Sequence, residues 1–203
     1  LAPQMTVYNE WMKGLTCIDV NPKDGKDPIV GLDLFDKTCI DPALDTQSWS
    51  TITMPGNIEK SDIGEFDGAV WLRKEVEIPA AWNGKELELS LGAIDDRDVT
   101  YFNGTRVGGF EEGGKWQMKR VYSVPAQLVK QGKAVIAVRV IDTQGGGGIT
   151  GSADLLTLSP KGKKAKGISL AGDWRYKVVA EFRQNQFFVM DPATDTWAKR
   201  PKL

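Results

Sequence analysis

In the stretch GAIDDRDVTYFNG, Gly92–Gly104, the aspartates Asp95, Asp96 and Asp98 crowd around Arg97 just ahead of an Asn-Gly pair. Carboxylates at this density can do three kinds of chemistry: acid–base work on a glycosidic bond, acceptance of hydrogen bonds from sugar hydroxyls, or ligation of Ca²⁺ by hard oxygens. Their spacing argues against two of these. Neighbours on a strand point to opposite faces, so Asp95 and Asp96 are not expected to face one another across a bond. The Asp-x-Asp-x-Asp-Gly spacing of a calcium loop is absent. Sugar contact stays open beside a plainer reading, in which the carboxylates satisfy turn amides and pair with Arg97 between two strands. The expectation is that plainer reading, with no bound metal and no catalytic residue.

Histidine is missing from all 203 residues. Ser-His-Asp and Cys-His catalysis and His-ligated zinc are therefore outside this chain's means. Cys17 and Cys39 form no CxxC pair; a disulfide between them is one option in an oxidising compartment and nothing in the spacing requires it. Trp82 (AAWNG) and Trp116 (GGKWQ) lie in turn-like text, where an indole face can stack on a sugar ring, while Trp49, Trp71 and Trp174 read as packing. A net charge of −1 excludes a general nucleic-acid or anionic-membrane binder. No apolar run reaches the ~20 residues that span a bilayer, and no cofactor motif is present. Gly145–Gly148 opens no helix and so has no phosphate-binding logic. It reads as a mobile loop or as a close approach of backbone to a neighbour, and Lys161–Gly167 reads as a solvated loop.

Around these residues the sequence alternates with period two. Val70, Leu72, Val76 and Ile78 oppose Arg73, Glu75 and Glu77, and Leu87, Leu89 and Leu91 oppose Glu86, Glu88 and Ser90. Strands are expected over 70–78, 86–91, 98–103, 120–124 and 133–142, the last apolar on both faces and therefore central, with Asn103-Gly104 at a hairpin tip. Residues 3–14 predict a short helix carrying Met5, Tyr8, Trp11 and Met12 on one face, and 17–45 predict loop with a helical turn near 30–37. Short strands at about 8–12-residue spacing define an all-β antiparallel sandwich.

The order of these elements, with Trp71-x-Arg73, then Gly84-Lys85-x-Leu87-x-Leu89, then Tyr101-x-Asn103-Gly104, resembles the galactose-binding-like jelly roll of family 2 glycoside hydrolases over roughly residues 45–180. A narrower resemblance lies in GAIDDRDVTYFNG, VIDTQGGGGITG and ISLAGDWRYKV. These are similar to the β-sandwich inserted into SGNH-type sialate O-acetylesterases, whose Gly-Gln-Ser-Asn-Met and Asp-x-x-His motifs this sequence lacks.

That resemblance implies a non-catalytic β-sandwich fragment of a carbohydrate esterase, one that braces the hydrolase domain and shapes one wall of a cleft for acetylated sugar. The implied site residues, at sugar or at the domain interface, are Asp95, Asp96, Trp116, Asp142, Gly146 and Gly147. Residues 1–45 become a leading segment, 46–183 the jelly roll and 184–203 an exit segment. The opening LAPQMTVYNEW, without Met or a signal peptide, reads as an excised piece. The implied partner is the remainder of the hydrolase and the implied compartment the bacterial periplasm or exterior. The rivals are the sugar-binding domain of a β-galactosidase-like family 2 enzyme and an autonomous carbohydrate-binding module.

Overall fold

The computed structural model describes residues 2–162 and 167–202, so most of the lysine-rich 161–167 loop lies outside it. After helix α1 (Ala2–Lys13) come β1 (Thr16–Asp19) and the short helix α2 (Asp36–Cys39), then β2 (Ser50–Met54) and β3 (Gly56–Asn57). The central strands are β4 (Gly68–Ile78), β5 (Leu87–Asp95), β6 (Arg97–Phe102), β7 (Thr105–Phe110), β8 (Lys119–Val124) and β9 (Gly132–Asp142). Last come β10 (Gly148–Ile149), β11 (Leu156–Pro160), β12 (Ile168–Ser169), β13 (Gly172–Arg183) and β14 (Gln186–Val189). All five expected strand segments are strands, and Asn103-Gly104 forms the β6–β7 turn with Asn103 at a left-handed φ of 46°.

The strands form an antiparallel sandwich. An eight-stranded sheet runs β1-β14-β13-β4-β9-β6-β7 with β2 also on β13, and a six-stranded sheet runs β12-β11-β5-β10-β3 with β8 also on β5. The alternating apolar faces meet between the layers: Leu87, Leu89, Leu91, Ile136 and Val138 are all fully buried. This is the burial the period-two pattern predicts, and at about 25 cal/mol per Å² it is the main stabilising term.

The far face of the larger sheet differs from expectation. Arg73 was expected on a solvent face and is 3% exposed. Residues from the 17–45 loop, joined by Trp49, cover it: Val20, Ile29, Leu34, Cys39 and Trp49 pack on Ala69, Trp71, Ala137, Ile141, Val179 and Phe187. The cover is stitched by Trp71 Nε1 donating to Leu34 O at 2.8 Å and by Arg139, which pairs with Asp36. A loop without periodicity thus gives β4 and β9 a second buried face. Cys17 is exposed and Cys39 buried, both as free thiols.

Helix α1 docks through Tyr8, fully buried, and Met12, while Met5 stays exposed. The Tyr8 hydroxyl donates to Glu181 of β13, which Arg200 grips in a two-pronged pair at 2.9 Å on each oxygen. Burial and the Glu181 charge push the Tyr8 hydroxyl up to about 12, so it remains a donor at any physiological pH.

Candidate functional site

Two features of β5 and β6 build the site. Gly92 sits at φ 66° where the β5–β8 register shifts, and a Cβ there would come within 3.2 Å of Gly151 Cα. This glycine bulge turns β5, so that beyond it Ile94 and Asp95 pair with β10 instead of β8. The chain then crosses from the smaller sheet to the larger one, and Asp96 occupies the corner between β5 and β6. A corner has no strand alternation. Contrary to expectation, the Asp95 carboxyl lies close enough to Asp96 for that neighbour to help raise its pKa.

Both aspartates line an open cleft of about 530 Å³ together with Arg97, Trp116, Gln144 and Gly146. Three segments far apart in sequence therefore converge there: 95–97, 113–116 and 143–146. Of the residues singled out from sequence, Asp95, Asp96, Trp116 and Gly146 line the cleft, and Asp142 and Gly147 lie buried beneath its glycine loop. Trp116 presents its indole at 48% exposure. Trp82, by contrast, packs against the core and offers no stacking face there.

The glycine loop is closely packed. The Asp96 carboxylate accepts from the Thr143 amide at 3.1 Å and its hydroxyl at 3.3 Å, Asp142 accepts from the Gln144 amide at 3.0 Å, and Glu59 accepts from the Gly147 amide at 3.1 Å. A Cβ on Gly147 would lie 2.6 Å from Asp142 Cβ, and this close approach requires glycine. Gly146–Gly148 of this run pack closely on Asn57, Asp142 and Gly56 of the same chain.

Burial, the hydrogen bond with Asp96 and the charges of Asp96 and Glu59 raise the Asp95 carboxyl to about 6. Burial pushes Asp142 up to about 8, with Asp96, Asp67 and Glu59 adding to the shift and the Gln144 amide opposing it. At neutral pH Asp142 is therefore protonated, and its Oδ2 has no hydrogen-bond partner in the protein. The two carboxyls can accept hydrogen bonds from sugar hydroxyls. Among the described residues no group of His, Cys, Asp and Glu has the geometry to hold a metal ion.

Arg97 does not pair with its aspartate neighbours, as the turn reading expected. It reaches Asp27 at 2.5 Å and Glu111 O at 2.6 Å, tying the cleft to the covering segment. Asp98, also in the acid cluster, is buried and holds Arg120 at 2.9 Å, Tyr122 at 2.8 Å and Thr100 at 2.9 Å. Arg120 was missed from sequence. Its Nη1 grips Lys115 O and Met118 O, each at 2.6 Å, and its Nη2 grips Asp96 O at 3.1 Å, so one side chain positions both the Trp116 turn and the acid corner. A signal existed: Arg120, Tyr122 and Val124 share one parity of β8, and that parity is the buried one.

No protein-family profile matches the sequence, and no curated protein does. Solved structures do match in part. One is a β-glycosidase from Bacteroides vulgatus, at TM-score 0.45 and 17% identity, covering 70% of this chain and 18% of that one. A second is a β-glucuronidase from glycoside hydrolase family 2, at TM-score 0.45 and 22% identity, covering 64% of this chain and 13% of that one. A third is Bacteroides uniformis β-glucuronidase 2 covalently bound to cyclophellitol-6-carboxylate aziridine, at TM-score 0.44 and 18% identity, covering 79% and 18%. This chain thus spans less than a fifth of each enzyme. All three are glycosidases by name.

Proposed function

We propose that this chain is a non-catalytic β-sandwich domain of a larger carbohydrate-active hydrolase, and that its cleft contacts the sugar. The observation that carries the reading is the convergence of Asp95, Asp96, Trp116 and Gln144 on one open cleft. Acceptor carboxyls, an amide and an exposed indole are the groups that a hydroxyl-rich ring with an apolar face requires. The reacting nucleophile would come from elsewhere in the larger enzyme. The IDDRD and VIDTQGGGG resemblance supports an SGNH-type sialate O-acetylesterase, acting in the bacterial periplasm or outside the cell. The broader Trp-x-Arg to Tyr-x-Asn-Gly pattern supports the second reading, a family 2 glycosidase, with which the names of the matched structures agree better.

The test is kinetic and uses the intact enzyme. Turnover of an acetylated sugar against an aryl β-glycoside decides the parent activity. Asp95→Ala should then lower kcat/KM on the sugar substrate about tenfold, the equivalent of ~1.4 kcal/mol, and affect a small acetyl ester or a bare aryl leaving group less. Equal losses on both substrates, accompanied by a large fall in Tm, would leave the corner a purely structural turn.

A further inference from the structure

A second cleft, of about 590 Å³, opens between the 42–47 loop and strands β2, β4 and β13. At about 3.3 Å per residue, Lys74 lies roughly 20 Å along β4 from Gly68, whose partner across the ladder is Asp142 beneath the acidic cleft. Arg73 Nη1 donates to Cys39 O at 2.5 Å, Lys74 Nζ to Asp173 O at 2.8 Å, and Arg175 Nη1 to Trp49 O at 3.1 Å and Thr51 Oγ1 at 3.3 Å. Every one of these acceptors is neutral. Meanwhile the lining carboxylates are engaged: Glu75 pairs with Lys133 at 2.6 Å, Asp45 holds the Gln47 amide at 2.9 Å, and Asp173 accepts the Thr53 hydroxyl at 3.3 Å.

We propose that this cleft is a binding subsite for a small ligand carrying a carboxylate or phosphate group. A cation removed from water and paired only with carbonyl dipoles sits at a cost that a bound anion offsets. Arg73, at 3% exposure, is the clearest instance. Burial lowers the pKa of both Arg73 and Lys74, with Cys39, Glu75 and Asp41 opposing it at Arg73 and Asp173 opposing it at Lys74. Two guanidinium groups and an ammonium around one opening match the oxygens of a carboxylate or phosphate through charge-assisted bonds. The subsite stands apart from the acidic cleft, and does not rest on the reading proposed for it.

Amide chemical-shift titration of the 203-residue chain with inorganic phosphate, glucuronate and glucose tests the proposal. Phosphate or glucuronate at roughly 10 mM, a range that reports a millimolar Kd, should shift Thr51, Lys74 and Arg175 saturably, and glucose should not. A response to phosphate alone identifies a phosphate source, and one to glucuronate alone a sugar acid; both support the subsite. Lys74→Gln and Arg175→Gln, at half-exposed and exposed positions, should each weaken binding about tenfold while leaving Tm unchanged. No saturable shift with either anion, an equal response to glucose, or undiminished affinity in the double variant would overturn it.

Discussion

Replacing Arg120 with Met would remove one charge and four hydrogen bonds while keeping most of the aliphatic stem. The Arg120 and Asp98 side chains are both fully shielded from solvent. After the substitution Asp98 would keep Tyr122, Thr100 and the Phe110 amide but lose its counter-ion. Three main-chain carbonyls, those of Lys115, Met118 and Asp96, would each lose one donor as well, Lys115 O keeping the Met118 amide. Breaking a buried pair from one side costs about 3–5 kcal/mol, because the remaining charge stays desolvated. For a chain of this length each kcal/mol moves Tm by about 2–4 °C, so a fall of roughly 6–20 °C is expected. Urea unfolding followed by tryptophan fluorescence should show the midpoint moving with an unchanged slope. Asp98→Asn should cost a comparable amount, since it leaves the Arg120 guanidinium buried without its counter-ion, and the double variant should lose less than the two singles combined. A loss for Arg120→Met below about 1 kcal/mol, with additive singles, would refute the pair as the clamp of this corner.

Two other outcomes follow from the packing and the charges. Leu89→Ala, at a fully buried position between the sheets, should cost about 2–5 kcal/mol in the same urea assay; a loss below about 0.5 kcal/mol would mean that the face is misassigned. Asp142, raised to about 8 in the folded state, binds its proton more tightly there than the unfolded chain does. Stability should therefore decline as pH rises from the ordinary aspartate range towards about 8, and Asp142→Asn should flatten that decline when urea midpoints are compared across it.

The strands were legible because one face of each is apolar, and period two shows that directly. Strands of two residues, β3, β10 and β12, hold a single period and so cannot show a repeat. The burial of Arg73 and Arg139 was illegible for another reason: the cover over them comes from a Pro- and Gly-rich loop, whose contacts are set by the sheet it lands on. At the site, residue type was enough to single out Asp95, Asp96 and Trp116. Their convergence was not legible, since it depends on the Gly92 bulge and the crossing between sheets. Glu59 and Asp67 bear on the same corner from segments with no pattern pointing towards it.

The grip on Glu181 has a mechanical consequence. A helix of twelve residues is marginal in water, so α1 persists through what it docks against. Its Tyr8 and the Arg200 of the last turn meet on a single carboxylate of β13, the strand that pairs with β2, β4 and β14. Tension applied to α1 or to the 197–200 turn therefore enters the larger sheet at one point and is spread across three strand ladders, whose hydrogen bonds share the load. The two segments are coupled through Glu181, so that releasing one loosens the other. Amide protons in α1 and in the turn should accordingly open to solvent as one unit, ahead of the sandwich they are fastened to.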